Sequence, residues 1–181
     1  AFSNPILGVF VGAAFTAVIQ SSSASVGILQ AISLTGNISY GVAIPIIMGQ
    51  NIGTCVTALI SSIGVNRNAK KVGIIHVSFN LIGTAVWMLV FYGIGAFVDF
   101  TFMEQPIGAV GIAMVHSIFN ILTTVLLLPF SKKLVSLANR ILPDKKNSAN
   151  QVELSLDSRL LATPSVAVAE CNNATLRMAE L

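Results

Sequence analysis

Gln20, Ser21, Ser22 and Ser23 place an amide and three hydroxyls side by side inside a stretch, residues 1–66, that has no Asp, Glu, Lys or Arg. Hydroxyls can donate to phosphate-like oxygens and can also turn their lone pairs toward Na⁺. A helix starting just after them would add free backbone N–H groups, which attract anions. The plainer reading is a serine-rich cap that satisfies only its own helix break. One serine would support that reading. Gln plus three Ser in an uncharged stretch supports a binding site, because polar side chains in lipid are costly unless they face a cavity, a ligand or an ion.

A second cluster, Gly49, Gln50, Asn51, Ile52, Gly53 and Thr54, follows the same logic. Two glycines and three polar residues in the middle of an apolar run predict an unwound backbone. Broken spans near the bilayer midplane expose carbonyls to cations and N–H groups to anions, and Asn51 and Thr54 add side-chain oxygens. The alternative is a glycine face packed on a neighbouring helix. The polar neighbours favour the site. Pro45 reads as a simple kink.

A shorter internal echo follows. His76, Phe79, Asn80 and Thr84 recur at the same spacing as His116, Phe119, Asn120 and Thr124. On a helix, His, Asn and Thr so spaced lie near one face. Interhelical hydrogen bonding is the favoured reading. A pH-sensing histidine near the site is the functional alternative. Trp87 and Tyr92 read as packing or interface residues, and Met48 and Met114 as core.

The elements that must carry these residues are apolar. Charged residues are 9% and hydrophobic residues 54% of the chain, against roughly 25% charge in soluble domains. Residues 6–19 and 24–34 are each too short to cross a core of roughly 30 Å. They predict two halves of one broken helix or two arms of a re-entrant hairpin, with residues 20–23 at the tip. Residues 42–63, 73–98 and 107–130 are long enough to span. Leu154, Leu156, Leu160 and Leu161 predict an amphipathic helix in a polar tail, broken at Pro164. The predicted fold class is all-α: a polytopic membrane protein with a hairpin, about three further transmembrane helices and a cytoplasmic helical tail. Residues 1–143 form the membrane domain and 144–181 the tail.

Basic residues set the orientation. Arg67, Lys70 and Lys71, and the cluster from Lys132 to Lys146, belong in the cytoplasm, and the loop with Asp99 and Glu104 outside. Two spans separate the basic clusters, so the parity is consistent. The hairpin then has both ends outside and its tip near the membrane middle.

The same residues exclude other functions. The net charge of +3 follows the ends of the spans, so nucleic acid is not a partner. The spans hold no carboxylates, the serines lack a Ser-His-Asp pattern, and there is no nucleotide-binding glycine loop. An enzyme is not expected. Cys55 and Cys171 form no disulfide framework or metal spacing. The chain begins at Ala1 directly in apolar sequence, without a signal peptide, and reads as part of a longer polypeptide.

Gln20 to Ala24, followed by Ala43 to Thr54, resembles the type II sodium/phosphate cotransporter family. The resemblance runs from Asn4 to about Pro143. That family has two inverted repeats, each with a Gln-Ser-Ser-Ser motif. The chain resembles the second repeat without the first. Gln50 stands where Ala or Ser is more usual, and Ser25 and Val26 stand where relatives often carry threonine. The tail from Leu156 to Pro164 and from Leu176 to Leu181 looks like the start of a PhoU-like helical domain, which implies a bacterial origin and a cell membrane location.

The resemblance implies Na⁺-coupled phosphate symport, with inorganic phosphate and Na⁺ as partners and no cofactor. Gln20, Ser21, Ser22 and Ser23 would line the site, with Asn51 and Thr54 as the facing half. Na⁺ would meet Gln20, Ser22, Asn51 and Thr54. Gly49, Gln50, Gly53, His76, Asn80, His116 and Asn120 are secondary candidates. The missing first repeat of the same polypeptide would complete the site. The competing readings are a membrane scaffold or sensor whose tail binds a cytoplasmic partner, and a symporter for another small anion.

Overall fold

The computed structural model describes residues 4–143 and 164–179. The described elements are helices and short 3₁₀ turns, plus one isolated bridge between Ser39 and Pro106. The chain divides into two units, Ala1–Pro143 and Asp144–Leu181.

The first unit opens with helix α1, Pro5–Ile19, whose first amide is capped by Asn4: the Asn4 side chain accepts from Ile6 N at 2.9 Å. Pro5 fits there because the N–H it lacks would have no helical partner. The helix stops at Gln20, which adopts a left-handed conformation at φ 58°. Helix α2, Ser22–Ser33, begins one residue later on a Ser21 cap. At 1.5 Å per residue, arms of 15 and 12 residues are each shorter than a bilayer core. The chain folds back between them, so that Thr16 and Ser25 meet across the turn. The sequence expectation of a hairpin with its tip at residues 20–23 describes this element.

Helix α3, Tyr40–Ser61, runs without a break through Gly49, Gln50, Asn51, Gly53 and Thr54. The unwound backbone predicted there is absent, and the physical reason lies in α1. A Cβ on Gly12 would strike Ile46 O, one on Gly49 would strike Val9 O, and one on Gly53 would strike Ala13 O and lie 2.7 Å from Thr16 Cβ. Glycines one turn apart on each helix let the two backbones touch. The pairing of Gly8 with Pro45 and of Gly53 with Thr16 makes α1 and α3 parallel. The glycines of the motif therefore form a packing seam, the reading set aside at the level of sequence.

Helix α4, Arg67–Gly95, returns antiparallel to α3, with Thr84 beside Met48 and His76 beside Cys55. A loop with a 3₁₀ turn at Thr101–Glu104 leads to helix α5, Ala109–Leu127. Ile107 N donates to Ile38 O at 2.8 Å and Tyr40 N to Gln105 O at 3.1 Å, which ties this loop to the α2–α3 connection. A 3₁₀ turn, Leu128–Phe130, then introduces helix α6, Ser131–Ile141. One core joins α2, α3 and α5 through Leu29, Ala43, Ile47 and Ile112. Another joins α3, α4 and α5 through Ile44, Met48, Trp87 and Phe119. Met48 is core as expected. Met114 is not, being 57% exposed on the outer side of α5.

Among the described residues, three helical runs are long and apolar enough to cross a membrane: Tyr40–Ser61, Arg67–Gly95 and Ala109–Ile141. The last passes from α5 into α6. Outward-facing side chains along the unit are large and apolar, among them Val18, Leu89 and Val110. Water would not be the solvent for such a surface. The protein is an all-α, polytopic membrane protein.

In the second unit, helix α7, Pro164–Ala179, is described. Its Cys171 is exposed, whereas Cys55 in α3 is buried. The amphipathic stretch at Leu154, Leu156, Leu160 and Leu161, and the first part of the PhoU-like match, lie outside the described residues.

Candidate functional site

The hairpin tip is built by two opposed helix ends. Gln20 closes α1 with its N–H on Thr16 O, and its side chain is exposed. Ser21 caps α2: its Oγ accepts from Ala24 N at 3.3 Å and lies 3.3 Å from Ser23 Oγ. Ser22 is half-buried and Ser23 exposed. Ser21 thus performs the capping role of the plainer reading. Among the described hydrogen bonds, none occupies the hydroxyl of Ser22.

A second polar cluster lies deeper, and here sequence reasoning was incomplete. Thr16 of α1, Ser25 of α2 and Gln50 of α3 are buried to 0%, 0% and 1% exposure. Gln50 Nε2 donates to Ser25 Oγ at 2.9 Å, and the hydroxyls of Ser25 and Thr16 lie 2.7 Å apart. Gln50 Oε1 is buried without a partner. Three helices therefore meet in one uncharged chain of polar groups. Gln50 was only a secondary candidate, and Thr16 was not a candidate. The available signal was Thr16 lying one turn before Gln20, on the face that carries Gly8 and Gly12.

Register relates the two clusters. One turn toward the tip from the Ser25–Gln50 bond leads to Ser21 and Ser22 on α2 and to Thr54 on α3. The tip lies about one turn past Gly53 along α3, so it reaches beyond the middle of that helix. Thr54 is half-buried and donates to Gln50 O at 2.9 Å. Asn51 is buried and donates to Ile47 O at 3.0 Å. Both point to their own helix, and no described hydrogen bond joins either to residues 20–23.

The echoed stripes on α4 and α5 share their asparagine bonds but differ at the threonine: Thr84 is buried and bonds to α3, while Thr124 is exposed and donates to Asn120 O at 2.8 Å. Asn80 donates to His76 O at 3.1 Å, and Asn120 donates to His116 O at 2.8 Å. These two bonds lie within one helix each, but Asn80 also meets Cys55 of α3 through a side-chain hydrogen bond, so the α4 stripe does hold two helices together. Back-bonding to the fourth preceding carbonyl satisfies the amide locally. Further interhelical contacts come from their neighbours: Thr84 Oγ1 donates to Met48 O at 3.4 Å, and Cys55 Sγ lies 3.7 Å from His76 O. Among the described residues no group of His, Cys, Asp and Glu could hold a metal ion. Any cation here would meet neutral oxygens.

Neutral polar groups of three helices thus gather at and behind the hairpin turn. The sequence model of the Na⁺/Pi-cotransporter family matches residues 1–128. The chain belongs to that family. YqeW of Bacillus subtilis, an uncharacterised protein, is 34% identical over 135 residues, which cover 75% of this chain and 43% of YqeW. YjbB of Salmonella typhimurium, named with a provisional role in inorganic phosphate export, is 25% identical over 176 residues, 97% of this chain and 32% of YjbB. Human sodium-dependent phosphate transport protein 2C is 38% identical over 88 residues, 46% of this chain and 15% of that protein. The chain spans less than half the length of these relatives. No solved structure matches it.

Proposed function

We propose that this chain supplies one half of a Na⁺-coupled phosphate transport site, with inorganic phosphate as substrate and Na⁺ as coupling ion. The observation that carries the reading is the run of uncharged polar groups from Ser21 and Ser22 at the tip to Thr16, Ser25 and Gln50 in the interior. No Lys or Arg lies between Asn4 and Asn66, so no basic side chain of the hairpin or α3 can neutralise an anion. Hydroxyls and the N–H groups at the start of α2 can bind phosphate oxygens, but they do not cancel a full charge in a medium of low dielectric. Cations entering with the anion do. In this reading Na⁺ is a counter-charge as well as an energy source, and Gln20, Ser22, Asn51 and Thr54 offer it neutral oxygens. The first repeat of a longer polypeptide would present the opposing half.

Residues 67–71 and the tail after Lys132 are assigned to the cytoplasmic side of the cell membrane, and residues 144–181 to a linker and PhoU-like segment. The names of the relatives include both export and sodium-dependent transport, so the direction of flux needs its own measurement. The deciding experiment is ³²P-phosphate influx and efflux in proteoliposomes of the full-length protein, with Na⁺ or choline on either side. Flux in either direction that follows the Na⁺ gradient supports the reading. Flux indifferent to Na⁺ removes the coupling, and no flux removes transport.

A further inference from the structure

We propose that the end of the first unit carrying α6 and the start of α4 is a docking surface for anionic phospholipid headgroups. The proposal stands independently of the transported substrate. All six basic residues of residues 4–143 gather there: Arg67, Lys70 and Lys71 on α4, and Lys132, Lys133 and Arg140 on α6. The acids of the same residues, Asp99 and Glu104, lie at the opposite end of α4. The two basic triads are held together by structure, since Arg67 Nη1 donates to Pro143 O just beyond α6.

The position of α6 indicates what it faces. Helix α5, at 19 residues, is about 28 Å long and crosses a hydrocarbon core of about 30 Å by itself. The chain then turns through Leu128–Phe130 into α6, and a span of the length of α5 puts that turn near the level where the core ends. Helix α4, with 29 residues, is about 43 Å long and overshoots the core, so its first turns lie at the headgroup level as well. Helix α6 is strongly two-sided: Leu134, Leu137, Ala138 and Ile141 share one face, and Lys132, Lys133 and Arg140 the other. Leu134 and Ala138 are buried, while Leu137, Ile141 and Val135 stay 37%, 57% and 47% exposed. Lys133 Nζ lies 5.2 Å from the Phe130 ring centre, a cation over an aromatic face.

An exposed apolar flank next to a concentrated positive charge suits the boundary between acyl chains and anionic headgroups. Water alone would leave the flank uncovered, and a zwitterionic leaflet has no net charge to complement a basic end. Phosphatidylglycerol is the probe that combines a net negative headgroup with acyl chains.

The test is native mass spectrometry of the full-length protein released from mixed micelles of phosphatidylglycerol and phosphatidylcholine. The wild type should retain phosphatidylglycerol over phosphatidylcholine by about fivefold or more. K132Q/K133Q/R140Q should lower that ratio toward one, and K132R/K133R/R140K should keep it. The charge-preserving variant, read with and without high salt, keeps the test decisive if the glutamine variant fails to fold, because the preference should collapse with screening. Equal retention of the two lipids, or a preference unmoved by both salt and the glutamine variant, overturns the proposal. A preference abolished by inorganic phosphate but not by chloride at equal ionic strength also overturns it, since that marks a site for a single phosphate group.

Discussion

Gln50 on α3 donates to Ser25 on α2 at 2.9 Å, and both side chains are buried. This bond fixes the second arm of the hairpin to the main spanning helix. Thr16 extends it to the first arm. Truncating Gln50 to Ala would leave the Ser25–Thr16 pair in a cavity, a loss of about 1–3 kcal/mol for unpaired buried polar groups. Q50A, S25A and the double variant should show coupling: the double should lose less thermal stability in detergent than the two singles added together. Strict additivity would show that the bond carries no energy.

The α1–α3 seam should tolerate no side chain. G49A places a Cβ against the Val9 carbonyl, and overpacking of this kind costs about 1–3 kcal/mol. At Gly27 in α2 no heavy atom lies within 4 Å of the position a Cβ would take. G27A should therefore be neutral or gain about 0.5–1 kcal/mol from helix propensity. Melting curves of the two variants test the seam, and equal melting points would refute it.

The Ser22 hydroxyl should serve a ligand. S22A leaves the Ser21 cap of α2 intact, so folding and membrane insertion should persist. Half-saturation for phosphate or Na⁺ should rise by roughly 5- to 150-fold, the equivalent of about 1–3 kcal/mol for one hydrogen bond in a desolvated site. Unchanged uptake kinetics across S21A, S22A and S23A would move the site elsewhere.

Orientation can be read by labelling. In a C171S background, with Cys55 buried, T101C should react with a membrane-impermeant thiol reagent from outside intact cells, and N68C should not. Both replaced positions are exposed, so access depends on the side of the membrane alone. The reverse pattern would invert the topology.

Residues 1–181 alone should not transport. The apolar faces of α1 and α2 at Phe10, Val18 and Ile32 are exposed, and inverted-repeat transporters build their sites between two halves. Vesicles holding this piece as monomers should show no Na⁺-dependent phosphate flux. Flux that appears only with dimers would indicate that a second copy stands in for the first repeat.

The sequence by itself determined that the chain lies in a membrane, roughly where helices α1 to α5 run and where the hairpin turns, while α6 and the first turns of α4 came with the structure. Those features follow from local chemistry: 66 residues without charge, stretches of spanning length, and a Gln-Ser-Ser-Ser break with a capping serine. The meaning of Gly49 and Gly53 was decided only by the tertiary structure. A glycine pair inside a helix is the same signal for unwinding and for close approach, and the presence of α1 resolves it. Tertiary structure also decided that Gln50 turns toward Ser25 and Thr16 while Asn51, its neighbour, turns back onto Ile47. Adjacent residues on a helix point about 100° apart. Which of those directions meets a polar partner depends on the helices packed around α3, and no local pattern contains that information.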